Sequence, residues 1–146
     1  MSIFPTKILL ATDGSRQAEL AARTAAELAQ KTDSELHVLH VLALPLTTPY
    51  ERSSFAPEVW ARLEEGERKT LKDVVEKIEA SGGKVEGSHH TTGRPAAEIV
   101  ALAEEIGAGL IVMGARGVGG IRRALTGSVS ESVLRHAHCP VMVVRE

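Results

Sequence analysis

The residues with the most chemical promise form one stretch, Met113-Gly114-Ala115-Arg116-Gly117-Val118-Gly119-Gly120-Ile121-Arg122-Arg123-Ala124-Leu125-Thr126-Gly127-Ser128. Five of the chain's 13 glycines fall between Gly114 and Gly127. Glycine lets a backbone turn sharply and approach a ligand, exposing N–H groups that can face phosphate oxygens. Ser128-Val129-Ser130-Glu131 then reads as a capping box, with Ser128 as N-cap and Glu131 at the third helical position. A helix start of this kind offers free N–H groups and a positive dipole end to an anion. Arg116, Arg122 and Arg123 give the stretch a charge of +3, with no acid between Met113 and Ser130. The natural ligand is an anion carrying a phosphate chain. The pattern is neither a Walker loop, having no Gly-Lys-Ser/Thr, nor a dinucleotide fingerprint after a first strand. A plain turn would use similar residues, so a second feature matters.

That feature is Asp13, expected at the carboxyl end of the first strand. If strand order reverses between strands one and four, Asp13 lies beside the glycine loop, where a carboxylate suits ribose hydroxyls or a phosphate-bound metal. Its purely structural role would be the N-cap of the first helix. Six histidines invite a metal reading, but His37 and His40 fall on opposite strand faces, and so do His89 and His90. His136-Ala137-His138-Cys139 has no partner pair elsewhere. Packed or solvated side chains are expected, with no metal ligand. Cys139 reads as a small core residue, and Ser15 and Ser128 as caps, not nucleophiles. No catalytic residue is assigned. Without a general base near a terminal phosphate, hydrolysis of such a ligand is expected to be slow or absent. The alternative is an enzyme using the same pocket for phosphoryl or nucleotidyl transfer.

The elements that must position these groups alternate strand and helix. Lys7–Thr12 is a short aliphatic run followed by Asp13-Gly14-Ser15, with turn and cap chemistry. From Arg16 to Lys31, Ala18, Ala21, Ala22, Ala25, Leu28 and Ala29 recur at helical spacing, a face suited to close packing on a sheet. Glu35–Leu42 predicts a second strand. Residues 43–57 contain Pro45, Pro49 and Pro57 and are read as a long surface loop, although Tyr50 or Phe55 could serve a lid over the ligand. A helix follows from Glu58 to about Ala80, with a buried stripe of Trp60, Leu63, Leu71, Val74, Val75 and Ile78. Lys84–His90 reads as a polar edge strand. Arg94-Pro95 opens a third helix, with Ile99, Leu102, Ala103 and Ile106 inward and Gly107 at its end. Leu110–Met113 is a buried strand, Val129–Ala137 a helix, and Pro140–Val144 a fifth strand. This order predicts an α/β fold with a mostly parallel, doubly wound sheet, helices on both faces, and one domain over residues 1–146.

Composition agrees. The chain has 146 residues, 43% hydrophobic and 25% charged, the proportions of a single globular domain. With 17 basic and 19 acidic residues its net charge is -2, which speaks against a non-specific nucleic-acid or anionic-membrane binder. No apolar run approaches the ~18–20 residues that span a bilayer. A single cysteine and no signal-peptide pattern make cytoplasmic residence the expectation. The apolar Val141–Val144 strand, at a sheet edge, invites pairing.

Taken together, these residues resemble the universal stress protein family. The resemblance runs through Lys7-Ile8-Leu9 to Asp13-Gly14-Ser15, Leu39-His40-Val41, Gly93-Arg94-Pro95, Leu110-Ile111-Val112-Met113-Gly114 and His138-Cys139-Pro140-Val141-Met142-Val143-Val144. Its most specific part is the spacing Gly-x2-Gly-x9-Gly-Ser/Thr, met by Gly114, Gly117, Gly127 and Ser128, which in the family marks the ATP-binding branch. The resemblance implies a Rossmann-like open five-stranded parallel sheet in the order 3-2-1-4-5, holding ATP over the first and fourth strands, with Mg²⁺. It implies that Asp13, with Thr12 beside it, meets the ribose or metal end and that the Val41 backbone meets adenine. Met113 and Gly114 would line the base and ribose; Gly117, Gly127, Ser128, Val129 and Ser130 would meet phosphates. It also implies a homodimer paired through Val141–Val144. Gly109 stands where the family often carries an acid.

Overall fold

The computed structural model describes residues 2–43, 57–115 and 128–145. The elements run β1 (Lys7–Thr12), α1 (Arg16–Thr32), β2 (Glu35–Ala43), α2 (Pro57–Ala80), β3 (Gly87–Gly93), α3 (Pro95–Ile106), β4 (Leu110–Gly114), α4 (Ser128–His136) and β5 (Val141–Val144). The strands form one sheet in the order β3-β2-β1-β4-β5, and every neighbouring pair is parallel. The expected strand order and the helices on both faces are therefore present.

Each central strand is apolar on both sides because a helical layer covers each side. Ile8 and Leu10 of β1, Leu36 and Val38 of β2, and Leu110 and Val112 of β4 pack with α1 and α2. The intervening Leu9, Ala11, Leu39, Ile111 and Met113 pack with α3 and α4. The alanine face of α1 is what was expected: Ala18, Ala21, Ala22, Ala25 and Ala29 are buried. Small side chains there let the helix approach the sheet closely.

Three expectations need correction. The third strand starts at Gly87, not Lys84, and continues to Gly93. Its extent is set by partners in β2, from His37 opposite Gly87 to Ala43 opposite Gly93, not by its own composition. Pro57, expected in the loop, opens α2, where a missing N–H is no loss. The stripe of α2 is also shorter than expected: Leu71 and Ile78 are buried, Trp60 is half-buried, and Leu63 is 41% exposed. Twenty-four residues of helix run roughly 36 Å, longer than the strands beneath, so one end has less sheet to cover. Tyr50, Phe55 and the prolines at 45 and 49 lie outside the described residues.

Candidate functional site

Strand order reverses beside β1, because β2 continues to one side and β4 lies on the other. Parallel strands place all their carboxyl ends at one edge, and the crevice at such a reversal is where open α/β sheets receive ligands. Ala11 is paired with Met113, and Thr12 with His40. The register thus brings the ends of β1 and β4 together and sets Val41 on the next strand at the same level. Thr12 and Met113 are buried, whereas Asp13, Val41 and Gly114 are half-buried.

The turn after β1 is built by its own side chains. Thr12 Oγ1 accepts from the Gly14 N–H at 3.1 Å, and Asp13 Oδ1 accepts from the Ser15 N–H at 2.8 Å. Ser15 Oγ accepts from the Ala18 N–H at 3.1 Å and is the N-cap of α1. Ser15 is thus the cap it was expected to be, and Asp13, for which the cap was the structural alternative, instead braces the turn leading into it. Gly14 has φ of +77°, a conformation few L-residues adopt, and a Cβ there would collide with the Thr70 methyl of α2.

On the far side, Ala115 N–H donates to Val144 carbonyl oxygen at 3.0 Å, carrying the chain past the end of β4. Helix α4 begins at Ser128, one residue before the expected start. Ser128 is exposed, Val129 half-buried and Ser130 buried, and Val129 and Val133 share one apolar cluster with Ala11 and Met113. That cluster lies on the α3–α4 face of the sheet, where α4 packs chiefly against α3 and β5. Gly117 and Gly127, together with Arg116, Arg122 and Arg123, lie outside the described residues.

A separate cleft of about 680 Å³ opens between α1 and α2. Thr12 and Ser15 lie at its wall, but Asp13, Met113 and Gly114 do not. It is crossed by an ion pair, Lys77 Nζ to Glu19 Oε1 at 2.6 Å, which raises the lysine pKa and lowers that of the glutamate. Chemistry at the sheet edge and this helical cleft are distinct.

The histidines that flank the site were expected as packed or solvated side chains, and their pairing across strands was not foreseen. His40 is 3% exposed, and its Nε2 lies 2.9 Å from Glu67 Oε2 of α2. Its ring stacks on that of His90, with centroids 5.9 Å apart and planes 2° apart. Burial pushes the His40 pKa below its ordinary value; Glu67 opposes this, His90 reinforces it, and Asp13 opposes it weakly. Only the strand register, not either strand alone, reveals the pairing. Cys139 is half-buried against the α3–α4 cluster, and burial raises its thiol pKa, consistent with a packing role.

Fold and site together define a doubly wound parallel α/β domain whose candidate pocket lies at the switch point between β1 and β4. Comparison with known proteins narrows this class. The model of the universal stress protein family matches residues 5–145. Universal stress protein MJ0531 of Methanocaldococcus jannaschii is 38% identical over 146 residues, covering 96% of this chain and 82% of that protein. Among solved structures, hypothetical protein MJ0577 superposes with a TM-score of 0.84 at 30% identity, over 99% of this chain and 98% of the other. A universal stress protein from Archaeoglobus fulgidus, solved in complex with dAMP, has a TM-score of 0.65 at 30% identity, over 97% and 98% of the two chains. The chain belongs to the universal stress protein family.

Proposed function

We propose that this protein binds an adenine nucleotide, ATP foremost, in the crevice between β1 and β4 and acts as a nucleotide-responsive module with slow or no hydrolysis. The observation that supports this reading is the meeting of the β1 and β4 carboxyl ends at the switch point, which carry Asp13, Met113 and Gly114, with α4 in the helical layer on the same face. The +3 glycine stretch joins β4 to α4 in sequence, so a phosphate chain would run from the end of β4 toward Ser128, Val129 and Ser130. Gly117 and Gly127 would give their backbone to the phosphates, Val41 its backbone to adenine, and Asp13 with Thr12 would serve the ribose. The dAMP complex of the Archaeoglobus relative supports an adenine ligand.

Mg²⁺ would enter with the phosphates. A single carboxylate plus phosphate oxygens and water is a common Mg²⁺ environment, and Asp13 suits that role. Nucleotide occupancy would then bias partner contacts in the cytoplasm, within a homodimer paired through β5. No helix among the described residues is long and apolar enough to cross a membrane.

The test is to denature freshly purified protein and identify the released nucleotide, followed by calorimetric titration with ATP. Gly117→Val should abolish binding with the circular dichroism unchanged. Equal affinity in that variant would overturn the proposal. Steady ATP turnover abolished by Asp13→Ala would defeat the expectation of slow hydrolysis, and turnover that requires a candidate acceptor would favour the transferase reading instead.

A further inference from the structure

We propose that His37 Nδ1 and His89 Nε2 together bind a divalent transition-metal cation of the zinc, nickel or copper type at the β2–β3 edge of the sheet. The two nitrogens are 3.3 Å apart, and the rings are tilted by 31° with centroids at 5.6 Å. That separation is one at which the two rings share an N–H···N hydrogen bond in one tautomer. It also matches the spacing a tetrahedral ion imposes: bonds of about 2.05 Å at the tetrahedral angle hold two imidazole nitrogens roughly 3.3–3.4 Å apart.

Two further features favour a site over a chance contact. His37 stands directly opposite Gly87, while His89 lies two residues further along the same face of β3. A Cβ on Gly87 would lie 2.8 Å from His37 Nδ1 and 3.2 Å from His89 Nε2. The glycine therefore lets both rings lie close over the β3 backbone, where any side chain would push them away. Moreover, His37 Nε2 is 3.2 Å from Glu35 Oε1. A carboxylate on the far nitrogen fixes the proton there, turns the Nδ1 lone pair toward His89, and strengthens the ring as a ligand.

Glu105 of α3 acts electrostatically on His89 and adds negative charge on the same side. Among the described residues no group of three His, Cys, Asp or Glu converges on one point. The site is thus a two-histidine chelate completed by water, selective for imidazole-loving metals over Mg²⁺ or Ca²⁺. It lies on the α3–α4 face of the sheet, opposite to the His40–Glu67 pair, and is independent of the nucleotide reading.

The experiment is a Zn²⁺ titration of the whole chain, read by calorimetry and by histidine-ring NMR. One-site binding that shifts the His37 and His89 signals together is expected, with no such shift from Mg²⁺. His89→Ala should weaken binding at least tenfold, and Gly87→Ala, whose methyl would displace both rings, should do the same. Glu35→Gln should weaken it about tenfold while both ligands remain. Zn²⁺ shifts confined to His136 and His138, unchanged affinity in His89→Ala, or no binding at millimolar Zn²⁺ would each overturn the proposal. Should Gly87→Ala fail to fold, the His89→Ala comparison still decides.

Discussion

His40 on β2 and Glu67 on α2 meet at 2.9 Å, joining the sheet to the helix that covers it through one buried ring. The contact lies one strand away from Thr12, with which His40 is paired, and so adjoins the end of β1 that carries Asp13. Its protonation state therefore bears on both the packing of α2 and the field near the candidate pocket.

A pH dependence of stability follows from that contact. Burial is the largest influence on His40 and outweighs the attraction of Glu67, so its folded pKa lies below the unfolded value of roughly 6.5. Between the two values the unfolded chain binds more protons, and stability falls as the pH drops through that window. Above it this contribution is fully present. Urea unfolding at a series of pH values should show a decline below neutrality in the native protein that is diminished in His40→Gln. Glu67→Gln, which keeps an acceptor but removes the charge, should steepen the acid decline.

The turn after β1 makes a second prediction, because Gly14 is constrained twice. A side chain there meets an unfavourable φ of +77° and the Thr70 methyl. Gly14→Ala should destabilise the protein by about 1–3 kcal/mol. Adding Thr70→Ser removes the methyl and should recover part of the loss, leaving the backbone strain. Additive effects of the two substitutions in denaturant unfolding would show that the close approach does not matter.

Asp13 and Ser15 separate ligand binding from folding. Ser15→Ala removes the α1 cap, and a loss of about 0.5–2 kcal/mol is expected in chemical denaturation. Asp13→Asn keeps an oxygen for the Ser15 N–H but loses the charge. In the proposed nucleotide site it should reduce ATP affinity about tenfold or more, while the melting temperature changes little. A reverse pattern, with Asp13→Asn unfolding the protein and leaving ATP affinity intact, would make Asp13 a turn residue only.

Local pattern in the sequence was enough for the central layers. The alanines of α1 and the aliphatic runs of β1 and β4 carry their own periodicity, and their burial follows it. What depended on distant partners was not legible. The start of β3 is fixed by Gly87 meeting His37, and neither segment alone announces that register. The same register creates the His37–His89 and His40–His90 pairs, which looked unrelated while each strand was read alone. Leu63 has the right helical spacing for burial, but spacing cannot say how far the sheet beneath extends. At the candidate site, Asp13, Val41, Met113 and Gly114 were foreseen at one edge and are found there.

The edge strand β5 supports a final prediction about the proposed homodimer. The Pro140 carbonyl accepts from Ile111 N–H and the Val144 carbonyl from Ala115 N–H, each at 3.0 Å. Backbone groups alternate in direction along a strand, so residues of even number in β5 face β4. Val141 and Val143 therefore turn their N–H and C=O groups outward, away from the sheet. Those outward groups are what a second copy would pair with across a two-fold axis. Val143→Pro removes one outward donor yet leaves every donor and acceptor that β4 uses, and proline is tolerated at such an edge. Light scattering at micromolar concentration should give a dimer for the native chain and a monomer for Val143→Pro, with similar circular dichroism. A native monomer would reject the dimer. A Val143→Pro dimer of native affinity would move the interface away from β5, to a surface such as that carrying the exposed Leu134 of α4.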